Sequence, residues 1–184
     1  MSIKQFNSSY IPNEDRLIFR FNTAEDQEYR FWFTRRVTLF ILAATDHLVE
    51  KKLQQQHEKS TAKAIAQFQQ EVHKEQFDIE TEYQVANNYP IGADPVLVME
   101  VNCALIQVDN VDVFSLDLVL PGNGNLNLKL PVPTVQKMRF LLERLAAQAN
   151  WGRLQLNLTD VQEASPLDES DAIRKLDDPK KNFH

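Results

Sequence analysis

Two runs near the start of the chain alternate between apolar and polar positions. Leu17, Phe19 and Phe21 alternate with Arg16, Ile18 and Arg20, and Tyr29, Phe31 and Phe33 alternate with Glu28, Arg30 and Trp32. A period of two sends successive side chains to opposite faces of a strand, so the spacing predicts a β-hairpin with an aromatic inner face. The polar stretch 22–27 supplies its turn. At Thr34 the period changes. Val37, Phe40, Ile41, Ala44 and Leu48 recur at helical spacing, and the Thr34 hydroxyl is placed to accept an amide of the first turn. The apolar stripe thins through Gln54-Gln55-Gln56-His57-Glu58-Lys59, and a second stripe of Ala62, Ile65, Phe68 and Val72 follows Ser60 and Thr61. A single helix from Thr34 to Gln76 would be about 64 Å long at 1.5 Å per residue, too long to lie wholly against a small domain. Two helices, or a projecting helical hairpin, are therefore expected.

Strand periodicity returns at Phe77, where Ile79, Thr81, Tyr83 and Val85 alternate with Asp78, Glu80, Glu82 and Gln84. The stretch 87–95, with Pro90 and Gly92, reads as a loop. Residues 96–108 and 111–120 then read as two long strands, Pro121-Gly122-Asn123-Gly124-Asn125 as a turn, and Leu126, Leu128 and Leu130 as the returning strand. Pro133 and Thr134 open a helix with Val135, Met138, Leu141, Leu142, Leu145 and Ala149 on one face and Arg139 and Glu143 spaced to pair on the other. Gly152 is expected to end it. Leu154, Leu156 and Leu158 suggest a final strand. Beyond Thr159 all periodicity is lost among many acidic residues. The fold class expected is α+β: an N-terminal β-hairpin, a long helical segment, an antiparallel strand meander, a second helix, a final strand and a disordered acidic tail. Residues 1–13 are expected to be a flexible N-terminus, 14–158 one domain, and 159–184 the tail.

Composition narrows the classes of function. With 184 residues the chain suits one domain with a sizeable core, and 43% hydrophobic with 25% charged content is ordinary globular usage. The net charge of −6 disfavours sequence-independent binding to a phosphate backbone, so nucleic acid is not a favoured partner, although a local basic patch would remain compatible with it. One cysteine cannot form an internal disulfide, which fits a reducing compartment. No apolar signal core follows Met1. The longest apolar stretch, 37–44, is far short of a membrane span, so a cytoplasmic protein without membrane contact is expected.

Candidate chemistry is sparse. Gly122-Asn123-Gly124 precedes a strand rather than a helix, so it reads as a hairpin turn and not as a phosphate loop. His47 and Glu50 share a helix face, but a carboxylate-bridged centre needs further ligands from other helices, and no metal is expected. Cys103 sits on an apolar strand face with the character of a buried hydrophobe. The acidic stripe Asp78, Glu80, Glu82 reads as a wet sheet face. No catalytic residue and no cofactor are expected.

One local feature departs from this pattern. If Phe19 pairs with Phe31, Arg20 lies opposite Arg30, and like charges directly across strands are destabilising. Arg35 and Arg36 occupy the first turn of a helix whose dipole favours anions. Arg16, Arg20, Arg30, Trp32, Thr34, Arg35 and Arg36 are therefore the candidate anion- or partner-binding residues, with forked donors, an aromatic platform and a capping hydroxyl. The bland alternative is internal compensation, because residues 14–36 also hold Glu14, Asp15, Glu25, Asp26 and Glu28, and a two-residue shift of register would set Arg20 against Glu28.

The run Asn22-Thr23-Ala24-Glu25, followed by Glu28-Tyr29-Arg30-Phe31-Trp32 and Thr34-Arg35-Arg36, resembles the N-terminal stretch of small conserved bacterial proteins of unknown function. That resemblance spans about a tenth of the chain, carries no assigned activity or site residues, and implies a bacterial cytosolic origin. The function expected is a non-enzymatic protein-interaction or assembly module that presents the helical segment 34–76 to a protein partner or to a second copy. The alternative is an anion or nucleic-acid binder using the arginine hairpin.

Overall fold

The computed structural model describes residues 2–56, 82–109 and 111–152. Alternation builds its first sheet from three antiparallel strands, β1 (Ile3–Ile11), β2 (Arg16–Thr23) and β3 (Glu28–Thr34). Phe19 pairs with Phe31 and Leu17 with Phe33, so Arg20 does lie opposite Arg30. A shift of two residues would keep the same faces inward, so burial alone does not choose between the registers. The turn does. Asp26 takes a left-handed φ of 55°, and the Thr23 amide donates to the Gln27 carbonyl at 2.9 Å, fixing the loop length. Leu17, Phe19, Phe21, Phe31 and Phe33 are fully buried, with the Phe19 and Phe33 rings stacked 4.6 Å apart.

β1 corrects an expectation, because most of the stretch anticipated as a flexible N-terminus is an edge strand. It sets Phe6, Ser8 and Tyr10 beside Phe21, Phe19 and Leu17. Serine at the central inward position interrupts the apolar alternation, which is why the pattern is faint in sequence. Its hydroxyl donates to the Ile18 carbonyl at 2.8 Å and so tolerates burial.

α1 (Arg35–Gln56) follows β3 directly, its Val37 amide donating to Thr34 Oγ1 at 3.3 Å. It buries Val37, Leu39, Ile41, Ala44 and Leu48. The expected second stripe, Ala62 to Val72, lies outside the described residues, as do the acidic positions Asp78 and Glu80. Residues 82–86 belong to no strand, contrary to the periodicity read there.

The strand expected over 96–108 is broken in two. β4 (Val96–Leu97) runs parallel to β3, and the Val98 amide still donates to the Trp32 carbonyl at 3.1 Å. The next amide, Met99, donates instead to Val119 at 2.9 Å. Successive amides of a strand point to opposite edges, so one extended segment passes from the first sheet into the second. The second sheet is β5 (Glu100–Val108), β6 (Val111–Leu120) and β7 (Gly124–Pro131), antiparallel and in that order.

α2 (Val132–Gln148) buries Val135, Met138, Leu142, Leu145 and Ala146. It does not end at Gly152. Asn150 takes the left-handed conformation (φ 54°), Trp151 N–H reaches the Ala146 carbonyl at 3.0 Å and Asn150 N–H that of Ala147 at 3.1 Å, the paired bonds of a Schellman cap. The buried Trp151 follows it, its Nε1 donating to Asp15 Oδ1 at 2.6 Å. One apolar core joins both sheets and both helices. The architecture is α+β, as the periodicities predicted. Leu154 to Leu158 and the acidic tail lie outside the described residues.

Candidate functional site

The outer face of the first sheet is organised in cross-strand rows. Gln5, Asn22 and Glu28 form one, and Asn7, Arg20 and Arg30 the next. Residues 82–93 lie over both rows, held by side chains of the sheet that read backbone groups of the crossing segment. The Gln84 amide donates to Gln5 Oε1 at 3.1 Å, Asn22 Nδ2 donates to the Gln84 carbonyl at 2.6 Å, and the Ala86 amide donates to Glu28 Oε2 at 3.1 Å. Glu28 is fully buried and receives Arg30 Nε at 2.6 Å. Arg30 donates further to the Ala93 carbonyl at 3.0 Å and the Tyr89 hydroxyl at 3.3 Å. Arg20 takes a different route, donating to Asn7 Oδ1 at 2.8 Å with its guanidinium 4.9 Å from the Tyr83 ring. The facing arginines thus diverge onto separate partners, which relieves the repulsion that their register creates. Burial, reinforced by the Glu28 carboxylate, pushes the Tyr83 hydroxyl well above its usual pKa of 10.0.

The other candidate residues are used structurally as well. Arg16 forms an ion pair with Glu14, its guanidinium 3.9 Å from the Trp32 ring centre. Arg35 Nη2 donates to the Trp151 carbonyl at 2.8 Å and Arg36 Nη2 to that of Met99 at 2.9 Å, so α1 is tied at its start to the end of α2 and to the junction between the sheets. Arg16 and Arg30 therefore meet carboxylates, whereas Arg20, Arg35 and Arg36 donate to neutral oxygens. The seven residues do not converge on one point. Sequence reasoning missed Glu28 as the buried counter-charge because it compared charges across strands; Glu28 and Arg30 are two apart on one strand and so share a face.

A second site lies between the helices. A groove of about 460 Å³ runs between α1 and α2. Its apolar wall comprises Leu39, Leu42, Ala43, Ala146 and Ala147, while Asp46, Arg139 and Glu143 line its polar side and Asn150 and Gly152 its end. Alanines on both helices explain the space, since small side chains at facing positions leave volume that larger ones would fill. Arg139 was expected to pair with Glu143 on the face away from the core. The pair does form, with Nη1 3.8 Å from Glu143 Oε2, but the Arg139 side chain is only 12% exposed and its Nε also lies 2.8 Å from Asp46 Oδ1 of α1. The groove has the size of a ligand or peptide site, apolar with a few placed charges.

Burial pushes the Cys103 thiol up to about 12, which keeps it protonated at neutral pH. Among the described residues no group of three or more His, Cys, Asp or Glu is placed to hold a metal ion, and no helix is long and apolar enough to cross a membrane. No protein-family model, curated protein or solved structure matches the chain.

Proposed function

We propose that the protein is a non-enzymatic protein-interaction module acting in the cytosol, and that the α1–α2 groove is its contact surface. The observation that carries this reading is the groove itself: apolar walls from two helices, with a half-buried arginine held between Asp46 and Glu143 along one side. Apolar volume supplies affinity and placed charges supply orientation, the division of labour of grooves that take a partner's segment. Ala147 lines the groove and is itself exposed, so an indole can fill the space without entering the core. Affinity capture from native cytosol is expected to retain a partner with the wild-type chain and to lose it with Ala147→Trp, circular dichroism being unchanged. Identical partners on both baits would defeat the assignment.

A second reading is favoured by the exposed positions of Arg35 and Arg36, whose donors meet only carbonyl oxygens and leave two positive charges at the start of α1 without a carboxylate partner among the described residues. An anionic partner would then bind there, with an affinity that falls as salt rises and on Arg36→Ala. Binding that ignores both changes would remove this reading.

A further inference from the structure

The four sheet edges are not alike. An edge strand presents a row of unpaired backbone N–H and C=O groups, and proteins blunt such edges with lysine, proline, a bulge or short length. β1 carries the exposed Lys4 and a break of register between Ile3 and Gln5. β4 is two residues long, and β7 presents the exposed Lys129 and ends at Pro131. β5 has none of these devices. It runs nine residues in unbroken register with β6, and its stretch Val101-Asn102-Cys103-Ala104-Leu105-Ile106 holds no charge, proline or glycine. Among the described residues no strand pairs with its other side.

Its side chains show the same openness. Cys103 and Leu105 lie opposite Leu116 and Phe114 and so face the core. Leu116 and Phe114 are buried, whereas Cys103 and Leu105 are only partly so. On the outer face Ile106, Val113 and Pro131 form an apolar row, with the exposed Val108 and Val111 beyond it.

We infer that β5 pairs antiparallel with β5 of a second copy of this chain across a two-fold axis at Ala104, joining two three-stranded sheets into one. Full overlap of the nine residues fixes the register: Glu100 meets Val108, Asn102 meets Ile106 and Ala104 meets its own counterpart. A small side chain thus stands on the axis, and the one charge of β5 falls opposite a valine rather than a like charge. Leu105 falls opposite Cys103, so the part-exposed core faces of both copies continue into each other. Such a pairing uses both open edges and therefore closes at the dimer. The surface is separate from the α1–α2 groove and does not rest on it.

Light scattering on the full-length chain at micromolar concentration is expected to give the mass of two copies. Ala104→Glu sets two carboxylates face to face on the axis and is expected to give the mass of one copy, with the circular dichroism spectrum unchanged. Opposed residues of antiparallel strands lie about 4.5–5.5 Å apart at Cα, within the span of a disulfide. In a Cys103→Ala background, Ala104→Cys is therefore expected to form a covalent dimer under mild oxidation, and Val111→Cys, exposed on the neighbouring strand, to remain unlinked. A single-copy mass for the wild type would overturn the inference, and so would a dimer that survives Ala104→Glu or that Ala104→Cys does not link. Should Ala104→Glu fail to fold, the cross-link decides. Ala147→Trp is expected to leave the dimer intact, which keeps this result distinct from that of the groove.

Discussion

Glu28 is the most exacting test of how the first sheet holds residues 82–93. Its carboxylate is fully buried, receives the Arg30 guanidinium at 2.6 Å and is the hydrogen-bond acceptor for the buried Ala86 amide at 3.1 Å. Glu28→Ala removes both acceptors' contributions at once. Deleting one partner of a buried ion pair destabilises by about 3–5 kcal/mol, because the other charge stays buried without compensation. Arg30 retains the Ala93 carbonyl and the Tyr89 hydroxyl and is itself 22% exposed, which argues for the lower end. The expected loss is therefore about 3 kcal/mol, a large fraction of a typical domain's stability. Glu28→Gln keeps the shape and one acceptor for the Ala86 amide, so it should cost only about 1–2 kcal/mol. Urea unfolding followed by tryptophan fluorescence measures both, and limited proteolysis within residues 82–95 reports whether the crossing segment has come loose. A loss below about 1 kcal/mol for Glu28→Ala would refute the reasoning. Equal losses for alanine and glutamine would also refute it, since they would mean that the carboxylate's geometry is irrelevant.

Two further outcomes follow from the same sheet. Phe19→Ala empties a fully buried position stacked on Phe33 and should cost about 3–5 kcal/mol by thermal or urea unfolding; a loss under about 1.5 kcal/mol would mean that the aromatic inner face is not a packed core. Tyr83 has a folded pKa raised above its ordinary value, so its contribution to stability is complete below about pH 10 and is lost as rising pH ionises the unfolded chain first. Tyr83→Phe should therefore flatten the decline of the urea midpoint above pH 10. A slope identical to the wild type would show that the raised hydroxyl is not Tyr83.

What the sequence made legible, and what it did not, separates along a physical line. Periods of two and 3.6 report burial of apolar side chains, and every described element built on burial was readable: β2, β3, the first turns of α1, β6, β7 and α2. Features held by polar contacts left no periodic trace. β1 carries Ser8 at its central inward position, and residues 82–93 are fastened by Gln5, Asn22 and Glu28 reading backbone groups, a pattern with no hydrophobic repeat. The arginines stood out because charge is visible in sequence while the partner of a charge is not. The position of Glu28 two residues before Arg30 was a signal that could have found their pairing and was not used; the Trp151 and Met99 carbonyls that receive Arg35 and Arg36 had no signal, because a backbone oxygen exists at every residue. The groove has the opposite character. It arises where Ala43, Ala146 and Ala147 are too small to close the space between two helices, and an alanine on a helical stripe reads as ordinary core until the facing helix is known. Conspicuous residues thus became internal fasteners here, and inconspicuous ones left the volume between the two helices. With the groove as the proposed contact surface, enlarging one alanine should disturb partner capture more than removing any single arginine of the hairpin, whose loss acts first on stability.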